Sequence, residues 1–125
     1  MPPDDELNFV GRYEWGEVRA DAPDPNAGGA SHHYEIRCCA VPDGPLVTTT
    51  IQFQHGPRAV EGSTLGILDE HLLMIIADRM RAFEAGPFAH PANARVLAYV
   101  SAASAALRER AEERRARGVL GKNEK

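Results

Sequence analysis

The sequence predicts an α+β fold: a small N-terminal antiparallel β-sheet of about three strands followed by a long antiparallel two-helix hairpin. Apolar and polar residues alternate between 47 and 54, apolar residues then recur at helical spacing from about 69 onward, and Gly86-Pro87 interrupts that helical pattern. At 125 residues, with 43% hydrophobic and 26% charged side chains, the chain suits one core better than two. A single domain over 1–125 is expected, with 1–58 as its β-sheet part, 67–118 as its helical hairpin and 119–125 as a C-terminal tail.

Phe9, Tyr13 and Trp15 occupy odd positions with Gly11 between them, which reads as one strand with an aromatic face. The stretch 21–30 holds Pro23, Pro25, Gly28 and Gly29 and is a connection. A second strand follows, with Tyr34, Ile36 and Cys38 on one side. Asp43-Gly44-Pro45 makes a turn, after which Val47, Thr49, Ile51 and Phe53 alternate with Thr48, Thr50, Gln52 and Gln54 in a third strand. Short connections favour an antiparallel meander with one polar face and one in need of cover. Gly56-Pro57 stops the third strand, and a glycine-containing loop runs to Gly66.

From about 69 to 85, Leu72, Ile75, Ile76, Arg79 and Phe83 recur at helical spacing, with Leu73 and Met80 beside them. Gly86-Pro87 ends that helix, and Pro91 fits the first turn of a second one that runs to Arg117, with His90 placed to cap it. Val96, Val100, Ala103, Leu107, Arg110, Arg114 and Arg117 alternate in steps of four and three, a heptad seam whose last members are arginines. At about 1.5 Å per residue the two helices span roughly 25 Å and 39 Å, so the arginine third of the second should overhang the first. Ala102, Ala103, Ala105 and Ala106 permit close approach by another helix, which makes a homo-oligomer plausible.

Composition narrows the function classes. No apolar run approaches the ~20 residues of a bilayer span, and 1–6 is acidic and proline-rich, so a soluble, unexported cytoplasmic protein is expected. The adjacent Cys38 and Cys39 do not suggest a disulfide scaffold. The net charge of −4 hides an asymmetry: 1–45 holds nine acids and three bases, whereas 108–125 holds seven bases and four acids. An anion should go to the C-terminal end. No serine elbow, matched carboxylate pair or glycine-rich phosphate loop is present, so the motifs give catalysis no support and no cofactor is expected. His32, His33, Cys38 and Cys39 alternate between strand faces, and His55, His71 and His90 are scattered, so no metal site is expected.

Two readings of the arginines at 108, 110, 114, 115 and 117 stand side by side. They can stabilise the helix C-terminus and pair with Glu109, Glu112 and Glu113, or they can present paired donors to phosphate. Phe83 and Phe88 bracket the hairpin turn as core, or as a stacking surface near the polar Asn93.

The segments Ile51-Gln52-Phe53-Gln54-His55-Gly56-Pro57, Asp78-Arg79-Met80, Phe83-Glu84-Ala85-Gly86-Pro87-Phe88-Ala89, Asn93-Ala94 and Arg117-Gly118-Val119 together carry a resemblance. Over roughly 34–121, in order and with matching spacing, the chain resembles the Thoeris anti-defence sponges of phages. These are relatives of the anti-CBASS cyclic-dinucleotide sponges with which they share a helical hairpin. The resemblance implies a non-enzymatic protein that binds immune signals of the glycocyclic ADP-ribose type and releases them unaltered, so that the host effector is never activated. Some members of that family also hold cyclic oligonucleotides at a second kind of site and assemble as hexamers built from dimers, so the resemblance extends the expectation to such a site and to a dimer or hexamer. Carried over residue by residue, the ligand contacts are Arg58 after the Gly-Pro turn, Phe83 stacking on adenine, Asn93 on a polar edge, and Arg110 with Arg114 on the phosphates, followed by Arg117. The chain departs from the family pattern over 59–68, where a Gly-Val-Asn-Gly-like stretch is usual.

Helix geometry adds a constraint. Asn93 and Arg110 are about 25 Å apart on one helix, too far for one small ligand to bridge within a chain. A pocket that uses both must be shared by two chains. The rival expectation is a structural homo-oligomer whose arginine-rich helix end docks an acidic partner or nucleic acid; the overall acidity argues against nucleic acid, and no membrane partner is expected.

Overall fold

A computed structural model of the chain describes residues 7–118. It contains strands β1 (Asn8–Tyr13), β2 (Gly16–Ala20), β3 (His33–Cys38) and β4 (Val47–Gln52), then helices α1 (Asp69–Ala85) and α2 (Pro91–Ala116). The chain divides between Ile67 and Leu68 into two compact units, one built on the sheet and one on the helices. The loop at 58–66 belongs to the sheet unit, which therefore extends past the boundary expected at 58.

The sheet is an antiparallel meander in the order β1-β2-β3-β4, four strands where about three were expected. The additional strand comes from the aromatic stretch. Tyr13 pairs with Gly16, so Glu14 and Trp15 form a two-residue hairpin turn and the segment folds back on itself. Glu14 takes the left-handed conformation there, with φ 51°. A glycine or asparagine usually marks such a turn, and neither occupies that position. A bulge at Val10 shifts the register between Phe9 and Gly11 and further bends β1.

Register sorts the two faces of the sheet. Val18 opposes Ile36, and Ile36 opposes Thr49; Ala20 opposes Tyr34, and Tyr34 opposes Ile51. The other face is a ladder of charge. Glu17 pairs across with Arg12 and Arg37, and Arg19 with Glu35. Arg37 donates from Nε to Glu35 at 3.0 Å, Arg19 from Nε to Glu17 at 2.8 Å, and Arg12 from Nη2 to Glu17 at 3.0 Å. The Arg19 and Arg12 hydrogen bonds hold the Glu17 carboxyl below its ordinary value. Glu35 is 2% exposed and, with Leu7 and Ala20, is among the buried residues of this unit, so its deepest point includes a paired charge. Such a charge persists in a low-dielectric setting only because its partner is held beside it.

In the helical unit, a connection at 86–90 joins the two helices, which pack on each other. His71 Nδ1 accepts the Leu68 N–H at 2.9 Å at the start of α1, with Asp69 and Glu70 favouring the same end of the dipole. His90 Nδ1 accepts the Ala92 N–H at 2.9 Å and so caps α2, whose first residue is Pro91, as the sequence led one to expect.

The inward stripes differ from the expected ones. On α1 the expected Leu72 and Phe83, with Leu73 and Met80 beside them, are among the less exposed residues and Ala77 joins them, while Ile75, Ile76 and Arg79 are exposed. On α2 a heptad of lower exposure runs through Asn93, Leu97, Val100, Ser104, Leu107, Ala111 and Arg114. Of the expected seam, Val96, Val100, Leu107 and Arg114 are of lower exposure, whereas Ala103, Arg110 and Arg117 are exposed. Both stripes contain small residues, Ala77 on α1 with Ser104 and Ala111 on α2, which let two backbones approach. Among the described helical residues Ala77 alone is buried, and Ile75 and Tyr99 remain 58% and 70% exposed. A pair of helices lacks the apolar surface to enclose a core by itself.

Candidate functional site

The tight bend between the helices brings Phe83, Glu84, Phe88, His90 and Asn93 together. Phe83 and Phe88 meet edge to face with ring centroids 6.5 Å apart, and the Arg79 guanidinium lies 5.4 Å from the Phe83 centroid. Phe88 stays largely exposed. Glu84 crosses the bend: its Oε1 accepts the His90 backbone N–H at 2.9 Å and an Asn93 Nδ2 hydrogen at 3.0 Å. These two bonds, the backbone one first, hold the Glu84 carboxyl below its ordinary value.

Asn93 thereby acquires a defined polarity. Its Nδ2 also donates to the Phe88 carbonyl at 3.1 Å, so both amide hydrogens are used and both partners are pure acceptors. The amide can only be oriented one way, and Oδ1 is the edge left for a ligand. That edge accepts; it suits an exocyclic amino group rather than a carbonyl.

Arg110 and Arg114 lie at the other end of α2. The helix runs without interruption from Pro91 to Ala116, so the separation of Asn93 from Arg110 is fixed at about 25 Å. Arg114 closes the heptad that begins at Asn93, and Arg110 projects one turn earlier on the exposed side. Arg117 pairs with Glu113 one turn back. Between the helices, a groove is lined by Ala77, Asp78 and Arg81 of α1 and Val100, Ser104 and Arg108 of α2.

Arg58 belongs to the sheet unit, on a loop that is pinned at its base. His55 and Thr64 exchange backbone hydrogen bonds at 3.0 and 2.8 Å, and Gln54 holds both sides through Gly56 O and Gly66 N, each at 3.0 Å. Arg58 is exposed and donates to Gly66 O at 3.4 Å. The structure therefore gathers Phe83 with Asn93 and keeps Arg110 and Arg114 apart from them, while Arg58 sits in the other unit.

Sequence reasoning missed a further cluster in the sheet unit. His32 Nε2 and His55 Nε2 both approach Asp24 Oδ2, at 3.0 and 3.1 Å, and the two imidazoles stack with centroids 4.0 Å apart and planes 13° from parallel. Asp24 Oδ1 accepts the Asn26 backbone N–H at 2.9 Å. The His32 hydrogen bond, followed by that of Asn26, holds the Asp24 carboxyl below its ordinary value, with a smaller electrostatic contribution from His55. The face-alternation argument separated His32 from His33 correctly but left His55 out. The signal lay in the strand register: His33 opposes Gln52, so the chain just past β4 passes beside the residue preceding β3.

No helix among the described residues is long and apolar enough to cross a membrane. Compared with known proteins, the chain matches no protein-family model and no curated protein.

Proposed function

We propose that the chain is a non-enzymatic sponge for a phosphate-bearing cyclic nucleotide immune signal, foremost a glycocyclic ADP-ribose isomer, and that it serves a phage against a Thoeris-type defence inside the host bacterium. In this reading α1 and α2 run antiparallel as a hairpin, and two copies pack to form symmetric sites. Phe83 and Asn93 of one copy receive the base while Arg110 and Arg114 of the other receive the phosphates. A further site for cyclic oligonucleotides and assembly of dimers into hexamers belong to the same proposal.

The observation that carries it is the unbroken length of α2. Acceptor edge and guanidinium groups stand about 25 Å apart on a rigid rod, so they can serve one small anion only by meeting across two copies. The exposed apolar side chains of α1 and the exposed Ala102, Ala103 and Ala106 of α2 supply surfaces on which copies could pack. The ordered motifs from Ile51 to Val119 supply the identity of the ligand class.

A sponge acts by mass action, so it needs nanomolar affinity or better, about 12 kcal/mol, from a largely preformed pocket. Glu84 already fixes the Asn93 amide before any ligand arrives, which lowers the ordering cost.

The test is complementation. Asn93→Ala and Arg110→Ala chains each lose affinity alone; mixed as heterodimers, one of the two sites carries both substitutions and the other none. Calorimetry with a glycocyclic ADP-ribose should recover tight binding at one site per heterodimer. Absence of recovery rejects the shared pocket. Ligand recovered by chromatography after denaturing the complex should be unchanged; an altered nucleotide would make the chain an enzyme.

A further inference from the structure

We propose that Asp24, His32 and His55 bind a divalent transition metal ion, with zinc as the type ligand, and that this ion clamps the sheet unit. Their donor atoms, one per residue, all lie within 4.8 Å of one another. Two imidazole nitrogens and one carboxylate oxygen are a ligand set of borderline softness that suits zinc and its neighbours.

Two of the three donor separations lie close to those an ion needs, and the third, between the two Nε2 atoms, is no more than 4.8 Å. Zinc bonds of about 2.0–2.1 Å place tetrahedral ligands roughly 3.3–3.4 Å apart, and the two Nε2···Oδ2 separations are 3.0 and 3.1 Å. The ion enters once each of these opens by a few tenths of an ångström, the two Nε2 atoms take the same spacing, and each imidazole binds as its neutral tautomer, with the proton on Nδ1 and the Nε2 lone pair on the metal. Both Nε2 atoms already approach one oxygen, His32 through a hydrogen bond and His55 through a close contact, so the ion takes the place of two contacts that meet on the same atom.

The surrounding hydrogen bonds orient the ligands before any ion enters, as outer partners do in metal sites. Asn26 N–H fixes the Asp24 carboxylate through its other oxygen. Asp24 is further held by its own backbone, which bonds to Ala27, Gly29 and Ala30. Asp21 Oδ1 accepts the backbone N–H of His32 and of His33, at 3.0 and 3.2 Å. His55 is pinned by its pair of bonds to Thr64. His55 is also 40% exposed in its side chain, which gives the ion a path from solvent and leaves a fourth position for water.

A clamp here has a physical use. The three ligands come from the 21–30 connection, the residue preceding β3 and the loop after β4, so one ion ties the entry to β3 to the chain that leaves β4. Beyond Leu7 and Ala20, no apolar side chain among the described residues of this unit is fully buried. Small units with thin cores gain most from such a cross-link.

Zinc is titrated into the full chain after removal of metals, with calorimetric and thermal readouts. The wild type should bind one zinc per chain, and saturating zinc should raise its Tm by about 10 °C. His55→Ala and Asp24→Asn should each weaken binding by about 100-fold or more and abolish the Tm shift, whereas a Cys38→Ser/Cys39→Ser variant should bind as the wild type does. Cobalt should give ligand-field bands without thiolate charge transfer. Because His55 is substantially exposed, its alanine variant should keep the wild-type circular dichroism, and Asp24→Asn retains an acceptor for the rings. Failure of the wild type to take up zinc stoichiometrically overturns the proposal, as does undiminished uptake by His55→Ala or loss of uptake in the double serine variant.

Discussion

Asn93 donates an amide hydrogen to the Glu84 carboxylate at 3.0 Å, across the bend that separates the helices to which they belong. The bond links residues nine positions apart and decides which edge of Asn93 is offered outward. Replacing Glu84 by alanine frees the amide to rotate and should weaken nucleotide binding by about tenfold, with Glu84→Gln in between because its carbonyl still accepts. Calorimetry on the two variants checks the order.

The same contact fixes a pH response. Glu84 ordinarily titrates near 4.5 and is depressed in the folded chain by the His90 and Asn93 hydrogen bonds. A depressed carboxyl contributes its stabilisation fully above its unfolded value and loses it as pH falls through the folded one. The Asn93 side-chain amide resonances should therefore move on acidification with a midpoint below 4.5. Movement centred at or above 4.5 would contradict the assignment of Glu84 as the acceptor.

The elements that repeat were legible in the sequence, and those that depend on a single backbone angle were not. Val47 to Gln52 alternated cleanly because β4 presents one polar face, and Gly86-Pro87 and Pro91 punctuate the helices where α1 ends and α2 begins. Strand β2 was hidden because Glu14 enters the left-handed region without the usual turn residue. The helix seams slipped because periodicity weighs side chains by hydrophobicity, whereas close packing selected the small Ala77, Ser104 and Ala111. Asp24, His32 and His55 meet through strand register, which no local pattern records.

Arg110 and Arg114 give the binding proposal its sharpest energetic test. Each should cost about 2 kcal/mol, close to 30-fold in affinity, when replaced by alanine, provided it is desolvated against phosphate. Arg115, replaced in the same way, should change affinity by less than about threefold if it is solvated at the helix end. Equal small losses at all three positions would mean that the arginines serve only the helix terminus.

The buried charge of the sheet predicts a stability effect separate from binding. Glu35 is 2% exposed and receives Arg37 Nε at 3.0 Å. Glu35→Ala leaves a largely buried guanidinium without that carboxylate and should cost about 3 kcal/mol in denaturant unfolding. Glu17 remains near Arg37 Nη1, at 3.9 Å, and sets the loss toward the low end of the range for broken buried pairs. Glu35→Met with Arg37→Leu, which removes both charges together, should recover most of the stability.

A backbone approach beside the Arg58 loop makes a steric prediction. A methyl group on Gly66 would lie within 3.0 Å of the Gln52 oxygen, the Phe53 carbonyl carbon and the Gln54 nitrogen, all main-chain atoms. None of them can rotate aside, so the loop base must open. Gly66→Ala should destabilise the sheet unit by about 1–3 kcal/mol and raise hydrogen exchange at His55 and Ile67, whose amides bond across that base. Gly62→Ala meets no neighbour within 4 Å but sits at φ 88°, and its cost should therefore be conformational and confined to the loop tip.

The outward face of α1 decides whether two copies are needed. Ile75 is 58% exposed, so Ile75→Lys removes little packing within one chain and should shift stability by no more than about 0.5 kcal/mol. If that face is covered by a second copy, a lysine there buries an unpaired charge and the dimer should dissociate by 100-fold or more in Kd, a loss of about 3 kcal/mol. Light scattering should then report a monomer with unchanged helical circular dichroism. Nucleotide affinity should fall in parallel, because the bend bearing Asn93 and the helix end bearing Arg110 would no longer face each other. A monomeric Ile75→Lys variant that still binds at wild-type affinity would place the whole pocket within one chain, which the length of α2 forbids for a ligand touching both Asn93 and Arg110.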